Sequence, residues 1–182
     1  MFGTWYQACQ SKGANKTALQ ALESGNRAWI GVTGLRVEGE IAFGKDSAIV
    51  KGAKVRVENF GPRVALNCFT RAYPTTDPEG ACAFAKAFCN EIKTDFFSNG
   101  EPQFGFTLYP KQEPDFWDDV FGGSSEVLKY KAIPAVIYFG GCAVYRTSGF
   151  TTPHTTRFVY AANVKNGKTD NWVSHNYCNY AD

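Results

Sequence analysis

Between Gly52 and Tyr73 the chain reads GAKVRVENFGPRVALNCFTRAY, and this stretch constrains the fold more than any other. Lys54, Arg56 and Glu58 alternate with Val55, Val57 and Asn59, the period of a strand with one face buried. Asn59-Phe60-Gly61-Pro62 then breaks the run with turn chemistry. Asn and Gly tolerate positive φ, and Pro fixes φ and cannot donate to a ladder. A second strand follows, with Val64, Leu66 and Cys68 on one side and Ala65, Asn67 and Phe69 on the other. The expectation is a hairpin inside a mainly β fold.

The rest of the chain punctuates in the same way. Trp5–Glu23 lacks Pro and is rich in good helix formers, although Gly13 weakens it, and Ser24-Gly25-Asn26 reads as its stop. Ala28–Glu38 reads as a strand apolar on both faces, so it is covered on both or lies between layers. Ile41–Phe43 and Ala48–Val50 read as a short hairpin. Tyr73-Pro74 to Pro78-Glu79 reads as a loop. Gly80–Phe97 is the strongest helical signal, because Phe84, Phe88, Ile92 and Phe96 recur every fourth residue. Phe104–Leu108 reads as a strand, Phe116–Phe121 is ambiguous, and Glu126–Lys131 suits a helical turn. Ala135–Arg146 and Thr155–Val164 are long strands. Gly140-Gly141 inside the first predicts a bulge or a close backbone approach. Asn166-Gly167 predicts a tight turn and Trp172–Tyr177 a last short strand. Seven or eight short strands at such intervals suit a β-sandwich.

Size and charge exclude some classes. A chain of 182 residues, 44% hydrophobic, suits one domain with its own core. Its net charge is +2 and its basic residues are scattered, so no nucleic-acid partner is expected. Cys9, Cys68, Cys82, Cys89, Cys142 and Cys178 make an even number without a C-x-x-C pair. Buried thiols and one or two bridges are both open readings, and the pairing is undetermined. Cys82 and Cys89 should not bridge each other: seven residues of helix rise about 10.5 Å, beyond the about 7 Å limit between bridged Cα atoms.

Two stretches carry a resemblance. Val55-Arg56-Val57-Glu58-Asn59-Phe60-Gly61-Pro62 with Ala65 looks like the V-x-V-x-N-x-G-x-x-x-A hairpin of immunoglobulin-like bacterial adhesion-type modules. With Asn26–Val32, Gly141-Cys142, Tyr145, Phe150, His154, Thr156-Arg157-Phe158 and the ending Tyr177 to Asp182, the chain resembles a broad group of uncharacterised bacterial proteins with a membrane-anchored N-terminus. The resemblance implies an immunoglobulin-like β-sandwich over 26–182, with an inserted helix at about 80–97, behind an N-terminal, juxtamembrane-like helix at 1–25. It brings no catalytic residue and no cofactor. The chain departs from the group in lacking the transmembrane segment, so it reads as a shortened or soluble form. Any membrane contact is expected only through that missing span.

Catalytic and metal patterns are sparse. There are two histidines, His154 and His175, and no nucleophile elbow. Cys142 and His154 would make a thiol–imidazole pair across a hairpin, against the simpler reading of a core thiol and a loop-capping histidine. Glu113, Asp115, Asp118 and Asp119 would suit Ca²⁺ but lack the spacing of an EF-hand loop, and a solvated acidic loop is the favoured reading. No metal site is expected. Tyr145, His154 and Arg157 flank one hairpin and are the candidate ligand-binding residues, Arg157 being a natural partner for a carboxylate or phosphate.

The expected function is a non-catalytic interaction or binding module at the bacterial cell envelope, periplasmic or membrane-anchored, with a protein or envelope ligand as partner. The alternative is a structural subunit of a larger assembly, docking through its N-terminal helix or an edge strand.

Overall fold

The structure is a computed structural model that describes residues 25–98, 105–111, 117–120, 126–166, 168–175 and 178–181. The expected helix Trp5–Glu23 lies outside them, as do Glu113 and Asp115. The fold is mainly β, with one described helix.

Strands β1 (Ile30–Val37), β4 (Ala53–Asn59) and β7 (Trp117–Asp119) form one antiparallel sheet in the order β1-β4-β7. Strands β2 (Ala42–Phe43), β3 (Ser47–Val50) and β8 (Glu126–Lys129) form a second, small sheet. The central sheet runs β11 (Lys168–Thr169), β10 (Pro153–Lys165), β9 (Val136–Thr147), β5 (Ala65–Thr75), β6 (Phe106–Leu108). β12 (Val173–Ser174) and β13 (Tyr180–Ala181) also pair with β10. The chain after β10 thus returns along its outer edge in three short pieces, which blunts an otherwise long open edge.

Asn59–Pro62 is not a hairpin. β4 pairs with β1 and β7, whereas β5 pairs with β9 and β6. The turn carries the chain from one sheet to the other, and the buried Asn59 side chain pins that corner. Its Oδ1 accepts from Trp29 N at 3.2 Å and Gly61 N at 3.0 Å. Its Nδ2 donates to Arg63 O at 2.6 Å and Leu108 O at 3.1 Å. That is the full donor and acceptor capacity of one amide. Gly61 is required for space rather than for φ: a Cβ there would lie 2.3 Å from Arg27 O.

β5 also departs from simple alternation. Asn67 sits at φ 52° and the register with β9 shifts between Leu66 and Phe69, a bulge that puts Ala65 and Cys68 on the same buried side. The strand runs on through Tyr73-Pro74, where a loop is expected. Pro74 is tolerated because β6 pairs only at Ala65 and Cys68, so at Pro74 β5 has β9 as its one paired neighbour among the described residues. β8 is a strand where a helical turn is expected, and four residues are too few for periodicity to decide.

Alternation along β9 and β10 divides the central sheet into two faces. Ile137, Phe139, Ala143 and Tyr145 join Phe158, Tyr160 and the β1 and β4 valines in the larger core. Full burial of each such large side chain contributes about 1.5–3 kcal/mol. β1 is tied across this core by Thr156 Oγ1 donating to Ile30 O at 2.6 Å and Tyr160 Oη donating to Val32 O at 2.9 Å.

The other face carries α1 (Pro78–Ser98). Asp77 caps it, its Oδ1 accepting from Gly80 N at 2.5 Å, and Pro78 follows at the first helical position. Ala81, Ala85, Phe88, Cys89 and Ile92 turn inward, as the four-residue spacing predicts. Gly140 meets the helix as a close approach, not a bulge: a Cβ there would lie 2.0 Å from Ala81 O, while the pairing of β9 with β10 runs unbroken through it. Two disulfides fasten the helix, Cys89–Cys142 to the middle of β9 and Cys82–Cys178 to the returning C-terminal segment. No described helix is long and apolar enough to cross a membrane.

Candidate functional site

The β9–β10 hairpin brings Tyr145 and His154 together, for they are opposite each other in register with ring centroids 5.6 Å apart. Both lie on the face toward the larger core. Tyr145 is fully buried and His154 is 5% exposed. Arg157 is three residues further along β10, so alternation places it on the opposite face, level with Cys142. There its guanidinium stacks on Tyr180, 4.6 Å from the ring centroid. The three candidates therefore do not form one pocket.

His154 meets a residue that the sequence did not single out. Arg27 Nη1 lies 3.0 Å from His154 Nδ1, and both side chains are buried. A guanidinium only donates, so Nδ1 must accept, which leaves the imidazole neutral with its proton on Nε2. The Arg27 guanidinium also lies over the Trp29 ring, 3.6 Å from its centroid. Among the described residues Arg27 forms no ion pair. This Arg27–His154–Tyr145 group joins the start of β1 to the β9–β10 hairpin, a structural tie inside the core.

The thiol–imidazole pair does not exist. Cys142 is bonded to Cys89 and faces the helix, whereas His154 faces the other way. The described part of the acidic stretch, Asp118 and Asp119, lies in a strand and not in a solvated loop. Trp117–Asp119 is strand β7, and the buried Thr70 Oγ1 donates to the half-buried Asp118 carboxylate. Beside it, burial first and the Asp118 charge second push the Cys68 thiol well above its usual range, so that thiol is unreactive in the fold.

A cleft does open on the helix side of the central sheet, at a place no sequence motif marks. Arg71, Ala72, Tyr73, Phe84, Phe88, Glu91 and Val120 line about 230 Å³ of it. Arg71 and Tyr73 come from β5, on the side facing α1. Phe84, Phe88 and Glu91 come from α1 at positions i, i+4 and i+7, which share one helix face. The Tyr73 and Phe84 rings are 5.0 Å apart, and Phe84 and Phe88 stack at 5.5 Å with planes 6° apart. The Arg71 guanidinium sits over Phe88, 4.9 Å from its centroid. Aromatic rings, a cation and a carboxylate are thus brought to one cleft by α1 and β5, and the Cys89–Cys142 bond ties α1 to β9, the strand next to β5.

A second, open depression of about 340 Å³ lies beside Asn26, Pro62, Arg63, Val64 and Ser148. Among the described residues, no group of three or more His, Cys, Asp or Glu is placed to hold a metal ion. No protein-family model, curated protein or solved structure matches the chain.

Proposed function

We propose that the chain is a non-catalytic binding module of the bacterial cell envelope, periplasmic or membrane-anchored, which takes its ligand in the cleft between α1 and β5. The observation that carries this reading is the cleft itself: three aromatic rings and two opposite charges converge there, a common make-up for small-ligand sites. The two disulfides support an oxidising compartment. An immunoglobulin-like sandwich belongs to the same proposal. Its support is a core enclosed by the central sheet and the β1-β4-β7 sheet, with α1 inserted between β5 and β6.

A structural subunit is the second reading. Ile49 and Val127 face each other across β3 and β8 and are 43% and 48% exposed, an apolar pair available to a neighbour.

Chemical-shift mapping of the intact, oxidised chain against small aromatic and aliphatic fragments tests the first reading. Saturable shifts at the cleft, with the fragments recovered unchanged, support it. Conversion of a fragment, or no saturable shift anywhere, overturns it. A stable monomer in sedimentation argues against the subunit reading.

A further inference from the structure

We infer that the cleft between α1 and β5 is selective for an aromatic ring that carries a carboxylate. This rests on the binding-module reading and adds the ligand class. At about 230 Å³ the cleft is smaller than the about 300–1,000 Å³ of drug-sized sites, so it suits one ring and its immediate substituents. The half-buried rings of Tyr73 and Phe84 offer apolar surface to that ring, and the buried Phe88 backs them.

The carboxylate follows from Arg71. It is an exposed side chain on the helix-facing side of β5, level with Cys142, and so sits at the mouth rather than in the core. Among the described residues it makes no ion pair, and the ring of Phe88 is its partner. Stacking occupies the face of a guanidinium and leaves its edge, with its parallel N–H donors, for a planar two-oxygen acceptor. A ligand seated against the rings would place its acid group at that edge.

Glu91 separates two sources of this chemistry. A free aromatic amino acid presents an ammonium group to it as well, whereas the C-terminal residue of a peptide presents an amide. Both share the ring and the carboxylate.

Titration of the oxidised chain with four probes, followed by amide shifts, decides the matter. The probes are 3-phenylpropionate, L-phenylalanine, N-acetyl-glycyl-phenylalanine and phenethylamine. The expected result is saturable shifts at Arg71, Tyr73, Phe84 and Phe88 with the carboxylates, at dissociation constants on the order of 1 mM for so few atoms. Phenethylamine, which lacks the acid, should bind about tenfold more weakly or worse. Arg71→Met should remove that preference. Because Arg71 is exposed, this variant should keep its fold, which its spectrum reports directly. Tighter binding of phenylalanine than of the acetylated dipeptide, lost in Glu91→Gln, assigns the free amino acid. The reverse order, unchanged in Glu91→Gln, assigns a peptide terminus. Equal binding of phenethylamine and 3-phenylpropionate, unmoved by Arg71→Met, overturns the inference and leaves a binding module of other preference. Saturable shifts confined to another surface also overturn it. No shift with any probe overturns both it and the binding-module reading.

Discussion

At the residue scale, Asn59 joins the two sheets. Its amide satisfies two backbone donors and two backbone acceptors, so truncation strands four buried or part-buried groups at once. Each lost partner leaves a desolvated group worth about 1–3 kcal/mol, partly relieved by water. Asn59→Ala should therefore lower stability by about 3 kcal/mol, read as a shift in the urea midpoint. Asn59→Asp should not rescue it, because a carboxylate cannot donate to Arg63 O and Leu108 O.

Tyr160 gives a pH dependence. Its hydroxyl is pushed up to about 12, chiefly by burial, with Arg56 opposing and Glu58 adding. In the unfolded chain a tyrosine loses its proton near about 10. Between those values the unfolded state binds fewer protons than the folded one, so stability is complete below pH of about 10 and falls as pH rises toward about 12. Tyr160→Phe should flatten that part of the stability curve relative to the parent. It should also cost about 1 kcal/mol at neutral pH for the lost hydrogen bond to Val32 O. A parallel decline of parent and variant above pH 10 would show that other groups carry the effect.

At the element scale, α1 depends on its buried face and on its bonds to the sheet. Phe88 is 4% exposed and packs with Ile92, Cys142 and Val144, so Phe88→Ala leaves a cavity in that cluster and should cost about 3–5 kcal/mol. An unchanged melting temperature would show that this face is not buried. Replacing Cys89 and Cys142 together by Ala removes a cross-link between residues 53 apart, which should cost about 2–4 kcal/mol. It should also weaken any ligand of the cleft, since α1 loses its tie to β9, the strand next to β5. The helix start was readable in the sequence: Asp77-Pro78-Glu79 is a cap, a first-turn proline and a first-turn acid. Reading that segment as a loop placed the helix start two residues late.

At the scale of the whole molecule, strands were legible and so were the β2–β3 and β9–β10 hairpins, but the partners of β4 and β5 were not. Period-two alternation marked β4, whose valines face the core, while apolar runs bounded by turn residues marked β1, β9 and β10. Asn59-Phe60-Gly61-Pro62 reads the same whether the chain doubles back or crosses to another sheet, since both need a turn, and only the pairing of β4 with β1 tells them apart. The candidate site was legible in part. Facing of Tyr145 and His154 follows from a hairpin, and strand parity already separates Arg157 from them. Arg27 lies 127 residues from His154 in sequence, so no local pattern joins them. The cleft was equally hidden. Arg71 and Tyr73 are ordinary strand residues until α1 is laid across them.

That placement of α1 is the central claim, because it makes the cleft and separates the two faces of the sheet. Peptide mapping of the unreduced chain by mass spectrometry tests it most directly. The arrangement predicts one cross-linked peptide pair joining Cys89 to Cys142 and another joining Cys82 to Cys178, with Cys68 present as a free thiol that reacts only after unfolding. A bridge from Cys142 to any other cysteine, or Cys89 and Cys142 both recovered as free thiols, would contradict it.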